Sequence, residues 1–174
     1  MLVYAFAEGA CFALMPVWAL DMGLSADAAA CLVGVWLSGN ILLQVPVGWL
    51  SDRLGRARMI AACALLSAAG LAVLPFLGGD DPALWALLVV LGGLMGGLYT
   101  LALTLMGDRF RGPDLTVANT AFVMTFQLGM IVGPPLVGGV MQLLRPAAFP
   151  LALLPPMLAL AVLALRHHAA ASRA

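Results

Sequence analysis

Polar residues in this chain come in short clusters, and what separates the clusters is long and apolar. Six apolar stretches, at roughly 2–21, 28–50, 58–77, 83–106, 116–143 and 148–165, each approach the ~20 residues that cross a hydrocarbon core. The separators DMGLSAD, SDRLGRAR, LGGDDP, GDRFRGPDL and LRPAA are rich in the Gly, Pro, Asp and Arg that break helices. A spanning segment in lipid must satisfy its own backbone hydrogen bonds, so each stretch is expected to be a helix. The pattern predicts an all-α membrane protein of six transmembrane helices over residues 1–168, followed by a short tail at 169–174.

Polar side chains inside the stretches are unevenly spread. The first holds Tyr4, Glu8 and Trp18, and the second Trp36, Ser38, Asn40 and Gln44. The third holds only Ser67, whereas the fourth holds Tyr99, Thr100 and Thr104. Asn119, Thr120, Thr125, Gln127 and Gln142 fall in the fifth, and the sixth, FPLALLPPMLALAVLAL, has none. The order polar, polar, apolar therefore occurs twice, which predicts two three-helix repeats. Spans three and six are expected to face lipid all round, and the other four to face a common polar interior.

Composition and charge sharpen this picture. Hydrophobic residues make up 64% of the chain and charged residues 9%, with a mean hydropathy of +1.08. A soluble protein of this length could not hide so much apolar surface. The formal net charge of zero gives no general attraction to nucleic acid. Arg53, Arg56, Arg58, Arg109, Arg111, Arg166 and Arg173 fall on one side of a six-span topology, and Arg145 alone on the other. The positive-inside rule puts the arginine-rich side and both termini in the cytoplasm. Asp21, Asp27, Asp80 and Asp81 fall on the opposite side. An all-arginine basic set, with abundant Ala and Gly, points to a bacterial genome and hence to the inner membrane.

Several chemistries find no support. Cys11, Cys31 and Cys63 lie inside apolar stretches without a CxxC or His partner, so neither a disulfide nor a metal site is expected. His167 and His168 lie past the last stretch, so no buried Ser–His pair of an intramembrane protease is expected. There is no GxxxxGK phosphate loop. No basic region precedes the first stretch, which counts against a cleaved signal peptide. No cofactor and no enzymatic activity are expected.

Glu8 is the one acid deep in a span, on the order of 9–12 Å from the helix start. It is a candidate proton-coupling or substrate-binding group, or else a carboxyl hydrogen-bonded to a neighbouring helix. Asn40 and Gln44 are four residues apart and share a helical face. They, Tyr99 and Gln127 are candidates for binding a solute or for joining helices by hydrogen bonds.

The segment GWLSDRLGRAR concentrates charge between the second and third spans. It resembles the signature loop of the major facilitator superfamily, G-x-L-S/A-D-R-x-G-R-R/K, at Gly48, Leu50, Ser51, Asp52, Arg53, Gly55 and Arg56; Ala57 departs and Arg58 follows one place late. The resemblance implies a cytoplasmic latch whose contacts hold one access state, with Asp108, Arg109 and Arg111 as partners from the GDRFRG segment. In span five, GMIVGPPLVGG resembles the family's pattern G-x-x-x-G-P-x-x-G-G, through Gly129, Gly133, Pro134, Gly138 and Gly139. Gly129 and Gly133 would let another helix approach closely, and Pro134 would bend its own.

The family's N-terminal half often carries a buried Arg in its fourth span, which is absent here. The chain is more similar to a C-terminal half, and the absence counts against drug–proton antiport. Family members pair two six-helix halves around a midplane site, with the first and fourth helices of each half lining the cavity. The resemblance thus places Glu8, Phe12, Tyr99 and Thr104 there. It implies a secondary transporter, or half of one, moving a small solute by alternating access, with a proton as a candidate co-substrate. A lone half would pair with its own copy or with a separate half. The alternative is a non-transporting membrane subunit or the remainder of a longer chain.

Overall fold

The computed structural model describes residues 1–79 and 81–171, with side chains through residue 166. Asp80, Arg173 and the side chains of His167 and His168 lie outside the described residues. Residues 169–171 of the expected tail continue the last helix, and 172–174 lie outside the described residues.

Among the described residues seven α-helices follow one another: α1 (Leu2–Asp21), α2 (Ala26–Leu54), α3 (Arg56–Val73), α4 (Pro82–Arg109), α5 (Pro113–Leu143), the short α6 (Phe149–Ala152) and α7 (Leu154–Ala171). Among the described residues six stretches are long and apolar enough to cross a membrane, the last being Pro146–Arg166, which includes α6 and most of α7. The sixth span is broken at Leu153 because Pro155 and Pro156 carry no backbone N–H. Helix starts follow local chemistry. The Ser25 side chain accepts from the Ala28 N–H at 3.2 Å to open α2. Asp81 accepts from Ala83 N–H at 2.8 Å, and Pro82 pre-sets the first turn of α4.

Each repeat lends its first helix to the other. α1 packs along α5, and α4 along α2, while α3 and α7 pack on each other. The α1–α3 and α4–α7 units, the two repeats expected from the polarity pattern, interlock through these seams. Glycines make the two main seams. A Cβ at Gly9 would lie 2.7 Å from the Met130 carbonyl oxygen, and one at Gly133 would strike the Phe6 carbonyl. Across the other seam, Gly39 abuts the Val89 carbonyl and Gly92 the Trp36 carbonyl. These backbone-to-backbone approaches are what small residues permit between membrane helices.

The span-five glycines divide by role. Gly129 and Gly133 meet α1 closely, Gly138 only touches Leu14 at 3.9 Å, and Gly139 faces open space. Gly138 and Gly139 also fall one place beyond the closing pair of the family pattern.

Two expectations need correction. Spans three and six do not face lipid all round: Cys63, Ala64, Ser67, Ala68 and Leu71 are buried in a stripe on α3, and Phe149, Leu153, Met157 and Ala161 are buried along the sixth span. The stripe repeats at helical spacing, and its small side chains let α3 seat between α4 and α7. Nor is the expected loop between spans two and three a loop. Asp52 and Arg53 belong to the last turn of α2, and Arg56 and Arg58 to the first turn of α3. Gly55 alone makes the reversal, at φ 90°, a region L side chains rarely occupy.

Candidate functional site

Polar side chains from α1, α2 and α4 meet at mid-depth. A cavity of about 220 Å3 is lined by Tyr4, Glu8, Asn40, Gln44, Gly96, Tyr99 and Phe126. Tyr99 stands ten residues before Arg109, about 15 Å from that end of α4. Asn40 sits at the middle of α2. The α1–α5 and α2–α4 seams bring these helices within reach of one another.

Local packing explains each position. A Cβ at Gly96 would strike the Asn40 amide, so the missing side chain is what admits Asn40. The Gln44 Nε2 donates to Asn40 Oδ1 at 2.9 Å, one turn along the same face. That bond leaves the Gln44 oxygen and the Asn40 nitrogen to a ligand. Glu8 is buried, at 6% exposure, and forms no salt bridge among the described residues. Tyr4, one turn before it, is also buried; its hydroxyl approaches the Glu8 carboxyl without closing a hydrogen bond.

The aromatic side of the cavity is built by rings from α1, α4 and α5. Tyr99 meets Phe126 at 5.3 Å between ring centroids and Phe122 at 5.6 Å, both edge to face. Tyr4 and Phe126 are 6.2 Å apart. Such pairs hold each ring in a fixed orientation.

Of the residues singled out from the sequence, Glu8, Asn40, Gln44 and Tyr99 come together here. Gln127 does not: it is exposed on α5, and its neighbour Phe126 lines the cavity instead. Phe12 lies a turn beyond Glu8 and packs edge-on against Trp36 at 5.0 Å, outside the lining. Thr104 belongs to the arginine-rich end, where its carbonyl accepts from Arg56 at 2.9 Å. Tyr4, Gly96 and Phe126 are the lining residues that sequence reasoning did not single out for the site. Tyr4 was within its reach, since it precedes Glu8 by one turn on the same face.

The arginine-rich end holds a second constellation. Arg56 pairs closely with Asp108 and, at 3.9 Å, more loosely with Asp52. It thereby ties the start of α3 to the last turn of α4. Arg53 instead lies 3.8 Å over the Trp49 ring. Arg109 sits beside Asp108 and ends α4. Gly48 faces open space, and Ser51 donates to its carbonyl at 2.7 Å.

The fold and this cavity define a multi-pass helical membrane protein of interlocked three-helix repeats around a polar centre. Residues 1–173 match the Major Facilitator Superfamily, and the chain belongs to that family. It is 32% identical to the MFS-type transporter YfkF of Bacillus subtilis over 142 residues, covering 80% of this chain and 35% of that protein. Similarity extends to the MFS-type transporter Ent638_1421 of an Enterobacter species, at 27% over 77% of this chain and 34% of the relative. The MFS-type transporter YcaD of Salmonella arizonae is 26% identical with the same coverage. The chain spans about a third of the length of the curated relatives it matches.

Proposed function

We propose that the chain is one six-helix half of a secondary transporter, not an enzyme, and that it moves a small solute by alternating access. The observation that carries this reading is the mid-depth cavity around Glu8, Asn40, Gln44 and Tyr99 in an otherwise apolar bundle. Polar groups at that depth are costly unless they serve a pathway or one another. On this reading the cavity is half of a central site, completed by a second copy of the chain or by a separate half. Glu8 binds the solute or a coupling proton. Arg56, Asp108 and Asp52 form the latch that closes one access state, at an end that faces the cytoplasm of the inner membrane.

The test is native mass spectrometry of the purified chain, followed by flux measurements in liposomes. A discrete dimer with solute flux supports a self-paired transporter. A dimer without flux, or a monomer that stays silent with every candidate half, refutes the transport reading and leaves a non-transporting subunit.

A further inference from the structure

We propose that the cavity takes a small organic cation, an alkylammonium or quaternary ammonium group seated between Glu8 and the rings of Tyr4, Tyr99 and Phe126. Its physiological meaning rests on the transport reading above, whereas its binding chemistry rests on the lining alone.

Charge decides first. Among the described residues no arginine lines the cavity, and the described arginines lie at or near helix ends or in the short connections between helices. Glu8 meets no cation among the described residues. An anionic solute would set its charge beside this acid with no cation among the described lining residues and only neutral donors such as the Asn40 amide to meet it, in a medium that screens poorly. A zwitterion would leave its carboxylate in the same position. A cation supplies the counter-charge that the described residues do not place there.

The remaining lining discriminates between a cation and an uncharged polar solute. Three of the seven lining residues are aromatic, and ring faces attract ammonium groups, most strongly when water is excluded. The free acceptors, the Gln44 oxygen and the Tyr4 hydroxyl oxygen, suit N–H or polarised C–H donors. A polyol would need hydrogen-bond partners all round its ring. This wall offers it aromatic carbon on one side and an unpaired acid on the other. At about 220 Å3, the cavity has room for a small headgroup.

The probe pair is choline and its uncharged carbon isostere, 3,3-dimethylbutan-1-ol. Binding is measured by titration calorimetry to the full chain in neutral maltoside micelles, where no lipid headgroup competes. Choline is expected to bind at least ~10-fold more tightly than the alcohol. Glu8→Gln should erase that preference, and Glu8→Asp should retain part of it. Tyr99→Leu should weaken choline about threefold or more, with Tyr99→Phe as the folded control that keeps the ring. Equal affinity for the two probes, no choline binding, or choline binding indifferent to Glu8→Gln would each overturn the proposal. Choline binding without flux in liposomes removes the transport reading and leaves the ligand class standing. Flux of a neutral solute that choline does not compete with removes the ligand class and leaves transport standing.

Discussion

Gly133 and Gly139 lie on one helix two turns apart, yet a methyl group should have opposite effects at the two. At Gly133 the added carbon would strike the Phe6 carbonyl, which is backbone and cannot swing aside. α1 and α5 must then separate by a fraction of an ångström to about one. Such a gap forfeits a quarter to a half of each ~0.1–0.2 kcal/mol atom contact along the seam. Overpacking of this kind costs about 1–3 kcal/mol. The better helix propensity of Ala returns at most about 1 kcal/mol of it. At Gly139 nothing lies within 4 Å of the added carbon, so only the propensity gain remains.

Gly133→Ala should therefore be less stable than Gly139→Ala by about 2 kcal/mol, a factor of about 30 in the unfolding constant. Reversible unfolding by SDS in mixed micelles, followed by far-ultraviolet circular dichroism, reads the difference directly. Gly9→Ala, which meets Met130 backbone from the other side of the seam, should behave like Gly133→Ala. If Gly139→Ala proves as damaging as Gly133→Ala, close approach of α1 and α5 is not what these glycines provide.

At the arginine-rich end, Asp108→Asn should slow solute exchange more than Asp52→Asn does, because Asp108 holds Arg56 in close contact and Asp52 only at 3.9 Å. Both aspartates are exposed and Arg56 is partly so, so the ion pair contributes about 0–1 kcal/mol, limiting the loss of melting temperature to about 2–4 °C; a collapse in stability would mark these residues as structural. Glu8→Gln should flatten the pH dependence of flux if Glu8 carries the proton, and an unchanged profile removes that role. Cysteine introduced at Arg111 should react from the cytoplasm and at Asp27 from the opposite side. Labelling of both from one side contradicts the topology.

The six spans were legible because lipid leaves a long apolar stretch no option but a helix. The repeat was legible for a related reason, since polarity is expensive enough at depth to be rationed by position. Helix faces were harder to read. Successive residues on a helix point about 100° apart, and α5 carries polar residues nearly all round, at Asn119, Thr120, Thr125 and Gln127. Polarity alone could not say which of them faces the cavity, and the structure gives that place to Phe126. The opposite error affected α3, where polarity was scarce and was taken for exposure. Its buried stripe is written in small residues, Cys63, Ala64, Ser67 and Ala68, which a search for polar groups passes over.

The outward polar face of α5 has a physical consequence. Thr120 and Thr125 satisfy their hydroxyls on their own helix, donating to the Thr116 and Ala121 carbonyls at 3.0 and 2.7 Å. The Gln127 amide makes no hydrogen bond among the described residues, although it is exposed on a helix long enough to cross the membrane. Facing hydrocarbon, such an amide would cost about 2–7 kcal/mol. Facing a second six-helix half, it would find partners or the water of a shared cavity. The same sequence position thus reads as an error of design in the isolated chain and as an interface residue in a pair. Asn40 and Gln44 meet the opposite condition, since their mutual bond and the Gly96 notch place them at the mid-depth centre of this half. Substituting Gln127 by Leu should therefore favour the isolated chain in detergent while weakening any pair. Raised melting temperature with loss of the dimer in native mass spectra would follow, and an unaltered dimer would place Gln127 away from the partner.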